Sequence, residues 1–246
     1  MLSDDIANNT GIDTSNNPFS ICWLISIDSI ATTGNGERVV YDQDTLHITF
    51  TSADSIFYSY SSDQGETWCL KEFIDFGEYP ALAIDHNHAL HLIYKKNNTL
   101  RHKEINGSPG GVTIYTTIHD LQSHSFTIAG DKCFLAFEER EYQGMDPISH
   151  LIYGYLDLGI PPNGNLITQE IMADNTEFLK NPHIAIFQSD EPHIAYERAD
   201  SIYYVYQLPD GEFSAPSEIG LGKSPYISID NEIIDVVWES QNDIYH

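Results

Sequence analysis

In three places the sequence sets a glutamate directly after the aromatic residue that ends an apolar, alternating segment. "FLAFEER" (134–140) supplies Glu138, "HIAYER" (193–198) supplies Glu197 and "EIIDVVWE" (232–239) supplies Glu239. Carboxylates delivered at equivalent heights can converge, and a convergent pair has a definite chemistry. Glycoside hydrolysis needs one group to protonate the leaving oxygen and another to act as base or nucleophile. Two of the segments also carry an arginine, Arg140 and Arg198, whose planar fork suits a bidentate hold on a carboxylate. The same Glu-Arg pairs also read as exposed ion pairs of small energetic value.

These residues need a scaffold that repeats. Helical periodicity is nearly absent, and short alternating segments are divided by Gly, Asp, Asn and Pro, the pattern of an all-β fold. One unit recurs: an apolar strand, a turn, then a strand ending in an aromatic. The second strands are "TLHITF" (45–50), "ALHLIY" (89–94), "KCFLAF" (132–137), "EPHIAY" (191–196) and "EIIDVVW" (232–238), ending at Phe50, Tyr94, Phe137, Tyr196 and Trp238. Spacings of 44, 43, 59 and 42 residues match, in three of four cases, the roughly 40–50-residue period of propeller blades. The longer interval holds "EYQGMDPISH" and "DLGIPPNGN", which read as insertions in connecting loops. Apolar residues on both strand faces suit blades packed between neighbours.

The expected fold is a β-propeller of four-stranded blades, five in number, with six as the alternative. The last unit stops at His246 without a fourth strand, whereas Trp23 aligns with Trp68 at the start of one. An N-terminal strand completing the last blade removes the free sheet edges. Residues 1–17 then form a flexible arm and 18–246 a single domain.

The stretch Ser61-Ser62-Asp63-Gln64-Gly65-Glu66-Thr67-Trp68 fits S-x-D-x-G-x-T-W at every fixed position. It resembles the Asp-box, or bacterial-neuraminidase repeat, of sialidase-like propellers. Physically it reads as a turn between third and fourth strands, with Asp63 accepting amide hydrogen bonds, Gly65 supplying positive φ and Trp68 packed beneath. Partial copies stand at "QLPDGEFSAP" (207–216) and "YLDLG" (155–159).

In the resembling family this turn lies opposite the ligand face. Function is therefore expected where the second strands end and the first strands begin, at Arg38, Tyr79, His124, Asn181, His183 and Tyr226 together with the three glutamates. "LAFEER" is similar to the family's "AFAEGR"-like segment. That resemblance implies Arg140 as carboxylate ligand with Arg198 second, Asp146 as acid/base, and Tyr142 or Tyr226 as nucleophile. The chain has four arginines in all, and the family's Arg-Ile-Pro segment is missing. Five-bladed glycosidases such as arabinanases offer the other comparison, using three carboxylates around a central pocket. They need an aspartate at the start of an inner strand, and none is expected here.

Histidines cluster in "DHNHALH" (85–91), and zinc could use such a set. But His91 recurs as His47 and His193 at one strand slot, which fits structural histidines hydrogen-bonding between blades. No metal and no cofactor is expected. With 37 acidic residues against 11 basic, the formal charge is −26, which repels phosphate backbones and disfavours nucleic acid. No apolar run approaches the roughly 18 residues of a membrane span. The three cysteines give no disulfide framework, and no signal peptide is visible. The resemblance favours an extracellular or cell-envelope protein. The expectation is a monomeric glycan-binding or protein-interaction module without catalysis. A glycoside hydrolase using the rim carboxylates and Arg140 is the alternative.

Overall fold

The computed structural model describes residues 38–107, 110–143, 146–158, 166–230, 233–241 and 243–246. The described strands form five antiparallel sheets, in each of which neighbours in sequence are neighbours in space. The first sheet holds β1 (Val39–Asp42), β2 (Thr45–Ser52), β3 (Ser55–Ser61) and β4 (Glu72–Phe76). The second holds β5 (Glu78–Ile84), β6 (Leu90–Lys96), β7 (Thr99–Glu104) and β8 (Val112–Thr116). The third holds β9 (Asp120–Ala129), β10 (Lys132–Gln143), β11 (Asp146–Asp157) and β12 (Ile167–Asp174). The fourth holds β13 (Leu179–Phe187), β14 (Glu191–Arg198), β15 (Ser201–Tyr206) and β16 (Ser217–Leu221). The fifth has three strands among the described residues: β17 (Lys223–Asp230), β18 (Ile233–Ser240) and β19 (Asp243–Tyr245). The first strands touch in succession, β1 on β5, β5 on β9, β9 on β13 and β13 on β17. This is a five-bladed propeller. The strand expected around Trp23 and the arm over 1–17 lie outside the described residues.

The second, third and fourth blades bury both faces among the described residues, and each of the four boundaries from the first blade to the fifth has its own core. Ile56, Tyr58, Leu92 and Tyr94 fill the first boundary, and Leu100, Leu121, Leu135 and Phe137 the second. Ala136, Leu151, Ile184 and Tyr196 fill the third, and Ala195 and Ile227 the fourth. The aromatics ending the second strands are the wedges: Tyr94, Phe137 and Tyr196 have no exposed surface. A large ring closed on both sides gives each of them several kcal/mol of burial.

The wedges leave no room at the blade crossings, and two glycines supply it. The Gly77 amide donates to the Asp54 carbonyl at 3.0 Å and the Gly222 amide to the Asp200 carbonyl at 2.8 Å, so each link is tied to a turn between second and third strands. A Cβ on Gly222 would lie 2.4 Å from both the Glu239 carbonyl oxygen and Trp238 Cδ1, at a φ of +154°. Gly222→Ala is expected to lose about 4 kcal/mol, backbone strain adding to overpacking. Gly130→Ala, with φ +58° and nothing within 4 Å, should lose only about 1 kcal/mol. Urea midpoints of the two variants check the difference; equal losses would show that the Trp238 crossing is soft.

The Ser61–Trp68 turn joins β3 to β4 at the lower ends of the strands. Asp63 accepts from the Thr67 amide at 2.8 Å, the Thr67 hydroxyl at 2.5 Å and the Ser61 hydroxyl at 2.6 Å. The hydroxyls of Ser61 and Thr67 and the Thr67 amide hold its carboxyl down at about 2. Gly65 has φ +92°, and its Cα face looks onto Leu46 and Trp68.

One expected loop is instead a strand pair. "EYQGMDPISH" largely continues β10 and β11, which pair without interruption from Lys132↔Asp157 to Gln143↔Asp146. Two 12-residue strands raise this hairpin above the shorter ones of the other blades. Most of "DLGIPPNGN" lies outside the described residues.

Candidate binding site on the upper rim

The upper face is the one where second strands finish and first strands begin. Three first strands enter it through the same irregularity. Pairing jumps from Glu78↔Lys95 to Ala81↔Ile93, from Lys180↔Glu197 to His183↔Ala195, and from Lys223↔Glu239 to Tyr226↔Val237. The extra residue has positive φ each time: Tyr79 at 50°, Asn181 at 53° and Ser224 at 52°. Each precedes a proline, Pro80, Pro182 or Pro225, although proline pushes its predecessor toward extended conformations. Such positions cost about 1–3 kcal/mol apiece and gather where a fold re-aims side chains for use.

The register assigns the rim positions. Thr51, Lys95, Glu138, Glu197 and Glu239 each follow a terminal aromatic and form one ring. Four of them are held by partners that show where they face. Lys95 lies 3.6 Å from both Glu78 and Asp120 of the next blade. Glu138, 1% exposed, accepts from Arg140 Nε at 2.7 Å and from the Ser149 hydroxyl at 3.3 Å. Burial pushes its carboxyl above the ordinary glutamate value while Arg140 pulls the other way. Glu197 accepts from Asn181 Nδ2 at 3.0 Å and from the Ser224 amide of the next blade at 3.4 Å, with Lys180 Nζ also at 3.4 Å. Glu239 faces Lys223 at 3.4 Å.

The arginines do not converge on one pocket. Arg140 lies three residues beyond Phe137 and Arg198 two beyond Tyr196, so alternation sends them to opposite faces of their blades. Arg140 turns toward the fourth blade, its guanidinium 4.1 Å from the Phe178 ring centre. Arg198 turns back to the third, on Asp174 at 2.5 Å. Both grip the link between blades three and four. Arg101, in β7, is held by Asp75 at 3.4 Å and by the Gly111 carbonyl.

Nearer the axis, Arg38 sits where β1 begins, and burial lowers its guanidinium to about 10 against the opposing field of Tyr79. His124 is fully buried, and its Nε2 approaches the Ile93 carbonyl at 3.3 Å. His183 Nδ1 accepts the Ile227 amide at 3.3 Å, and its ring lies 4.1 Å from that of Tyr226. Both imidazoles are pushed down to about 4, chiefly by burial. The repeated histidines bond within blades rather than between them: His47 and His193 to Tyr58 and Tyr204, and His91 to His102 at 2.9 Å. The cross-strand neighbour is simply nearer than the next sheet.

An aspartate does begin an inner strand, contrary to expectation. Asp120 opens β9, accepting from Gln122 Nε2 at 2.6 Å. It lines a cavity of about 320 Å³ with Asn98, Ile118, Arg140, Glu141 and Tyr142. A second cavity, about 400 Å³, lies between blades one and two, walled by Asp54, Phe76, Glu78, Lys96 and Asn98. Sequence reasoning found Arg140 and Tyr142 but missed Phe76, Asn98 and Asp120. The signal available was an aromatic or polar residue beside each blade crossing. Asp146 lies opposite Gln143 at the hairpin tip, and its side chain is outside the described part.

No protein-family model matches the sequence, and no curated protein does. Among solved structures, the chain superposes on a protein of unknown function from Dyadobacter fermentans DSM 18053 with TM-score 0.63. The identity is 10% over 86% of this chain and 76% of that one. It superposes on the polysaccharide lyase Uly1 with TM-score 0.53 and 12% identity, covering 86% of this chain and 65% of the lyase. The overlay on a GH43 endo-arabinanase from Bacillus licheniformis is looser, at TM-score 0.44 and 12% identity over 72% of this chain and 75% of that one. At such identities the first two likenesses establish the propeller fold alone.

Proposed function

We propose that this chain is a carbohydrate-binding propeller of the Asp-box, sialidase-like kind that binds on its upper rim without cleaving its ligand. The observation that carries the reading is the state of the rim carboxylates. A general acid must reach the glycosidic oxygen. Glu138 is enclosed and committed to Arg140 and Ser149, and Glu197 to Asn181, Lys180 and Ser224. A sialidase-like carboxylate clamp needs arginines to spare, and Arg101, Arg140 and Arg198 each hold a different acid. What the rim offers instead is two cavities walled by amide, carboxylate and exposed aromatic groups, the usual partners of sugar hydroxyls and ring faces. The lyase of the same fold is named for a polysaccharide, a precedent for such a ligand on this scaffold.

A hydrolase is the second reading, favoured by the raised Glu138 carboxyl and by Asp120 at the head of an inner strand. The deciding experiment pairs a glycan array with fluorogenic sialosides and arabinosides. Array binding without turnover is the expected result. Turnover that Glu138→Gln abolishes would establish the hydrolase, and silence on every glycan would leave a protein-interaction scaffold.

A further inference from the structure

The two rim cavities are neighbours that meet at Asn98, the second residue of the turn between β6 and β7. Each has one strongly exposed ring: Phe76 in the first and Tyr142 in the second, both 61% exposed. Each has two carboxylates, Asp54 and Glu78 in the first and Asp120 and Glu141 in the second. The repetition follows from the fold, since a propeller presents the same crossing at every blade boundary.

Their electrostatics are specific. The basic residues bordering the cavities are Lys95, Lys96 and Arg140, and each faces an acid, with the Arg140 guanidinium turned away toward the fourth blade. Lys95 stands 3.6 Å from Glu78 and Asp120, Lys96 is 2.7 Å from Asp75, and Arg140 is 2.7 Å from Glu138. With four lining carboxylates and a formal chain charge of −26, the field at the rim repels anions. The carboxylates remain strong acceptors for hydroxyl donors. The walls are also fixed. The Gly77 amide is bonded to the Asp54 carbonyl and the Thr117 amide to the Asn98 carbonyl, at 3.0 and 3.1 Å, so binding orders little new backbone.

We infer that blade two carries a two-subsite groove for an uncharged oligosaccharide. One sugar residue lies on Phe76, the next on Tyr142, and the chain crosses over Asn98. Each cavity stands near the lower limit of small-molecule sites, about 300 Å³, which suits one ring apiece rather than one large ligand. This rests on the carbohydrate reading above and adds the ligand's charge class, its minimum length and its direction across the rim. It places the ligand on the flank between blades one and three rather than over the axis.

The test is titration calorimetry with cello-, xylo- and arabino-oligosaccharides from mono- to hexasaccharide, with oligogalacturonates as the charged counterpart. Affinity for one neutral series is expected to rise about tenfold from mono- to trisaccharide and then level off, the second subsite supplying about 1.4 kcal/mol. Phe76→Ala and Tyr142→Ala should each cost about fivefold, within the range for a stacked ring. Both side chains are exposed, so the variants should keep the thermal midpoint of the parent. Amide shifts on the unaltered protein should single out Gly77, Asn98 and Ile118. Length-independent binding, preference for oligogalacturonates, or a bound glycan that moves none of these amides would overturn the groove while leaving a carbohydrate-binding propeller. Absence of binding to any glycan would remove both.

Discussion

Acidification from about pH 7 to about pH 4 is expected to take away most of the stability of this propeller, in a loss that begins near pH 6.5, above the range in which ordinary carboxylates titrate. Three buried imidazoles carry the effect. His102, His124 and His183 are each held near 4, burial being the largest cause in all three. His91 adds to it for His102, and Arg38 and Lys95 add to it for His124. The bond of His124 to the Ile93 carbonyl opposes the shift without outweighing it, whereas the partners of the other two work with burial. Nδ1 of His183 accepts the Ile227 amide, so a proton there sets donor against donor. His102 shares one hydrogen bond with His91 at 2.9 Å, so a charge on it sits against a second imidazole in a buried pair.

The sign follows from linkage. These histidines have depressed folded values against about 6.5 in the unfolded chain. Stability is therefore complete above that value and is lost as pH falls toward 4. A depression of this size corresponds to roughly 3 kcal/mol per histidine, and three of them rival a whole domain's stability of about 5–15 kcal/mol. Urea midpoints at intervals from pH 8 to pH 4 should be flat above neutrality and then fall steeply. His183→Asn keeps an acceptor for the Ile227 amide and should make the fall shallower by about a third. A profile flat to pH 4.5 would mean that water reaches these rings.

The same side chains show what could be read from sequence. Second strands were legible because each ends in an aromatic wedge, and Tyr94, Phe137 and Tyr196 are indeed fully enclosed. The irregular entries of β5, β13 and β17 were not. Their signal, a residue at positive φ before proline, runs against local preference and is imposed by the next blade. The upper hairpin of the third blade reads as a loop because Gly144 and Pro147 interrupt it, yet pairing extends through Tyr142↔Pro147. The arginines are the least legible. "FEER" and "YER" look alike, but one extra glutamate shifts the arginine by one residue, and in a strand that changes the face. Their partners Phe178 and Asp174 are remote in sequence, so neither pattern nor spacing could supply them. Resemblance made Arg140 a ligand-binding group; the fold sets it against Glu138.

Those two roles for Arg140 predict opposite results for Arg140→Met. If it is structural, the variant leaves Glu138 buried at 1% exposure with only the Ser149 hydroxyl and the more distant Lys180 to oppose desolvation. Removing one member of a buried pair costs about 3–5 kcal/mol, and the cation over Phe178 is lost with it. The pH dependence identifies the cause. Burial already raises the Glu138 carboxyl, and removing the guanidinium raises it further. A carboxyl raised in the folded state contributes stability that is fully present below its unfolded value, near 4.3, and lost as pH rises through the folded one. The penalty of Arg140→Met should therefore be largest at neutral pH and shrink on acidification, opposite in sense to the histidine effect. Adding Glu138→Gln should restore most of the loss at neutral pH and flatten its pH dependence, because no charge is left behind. Glu138→Gln alone should cost less, near 1 kcal/mol, since Arg140 is more exposed and can be solvated. A ligand-binding Arg140 would instead leave unfolding midpoints unchanged, abolish binding of an acidic sugar and gain nothing from the second substitution. Denaturant melts of the four proteins at pH 5 and pH 7.5 separate these outcomes, and a penalty independent of pH would rule out the buried ion pair as its source.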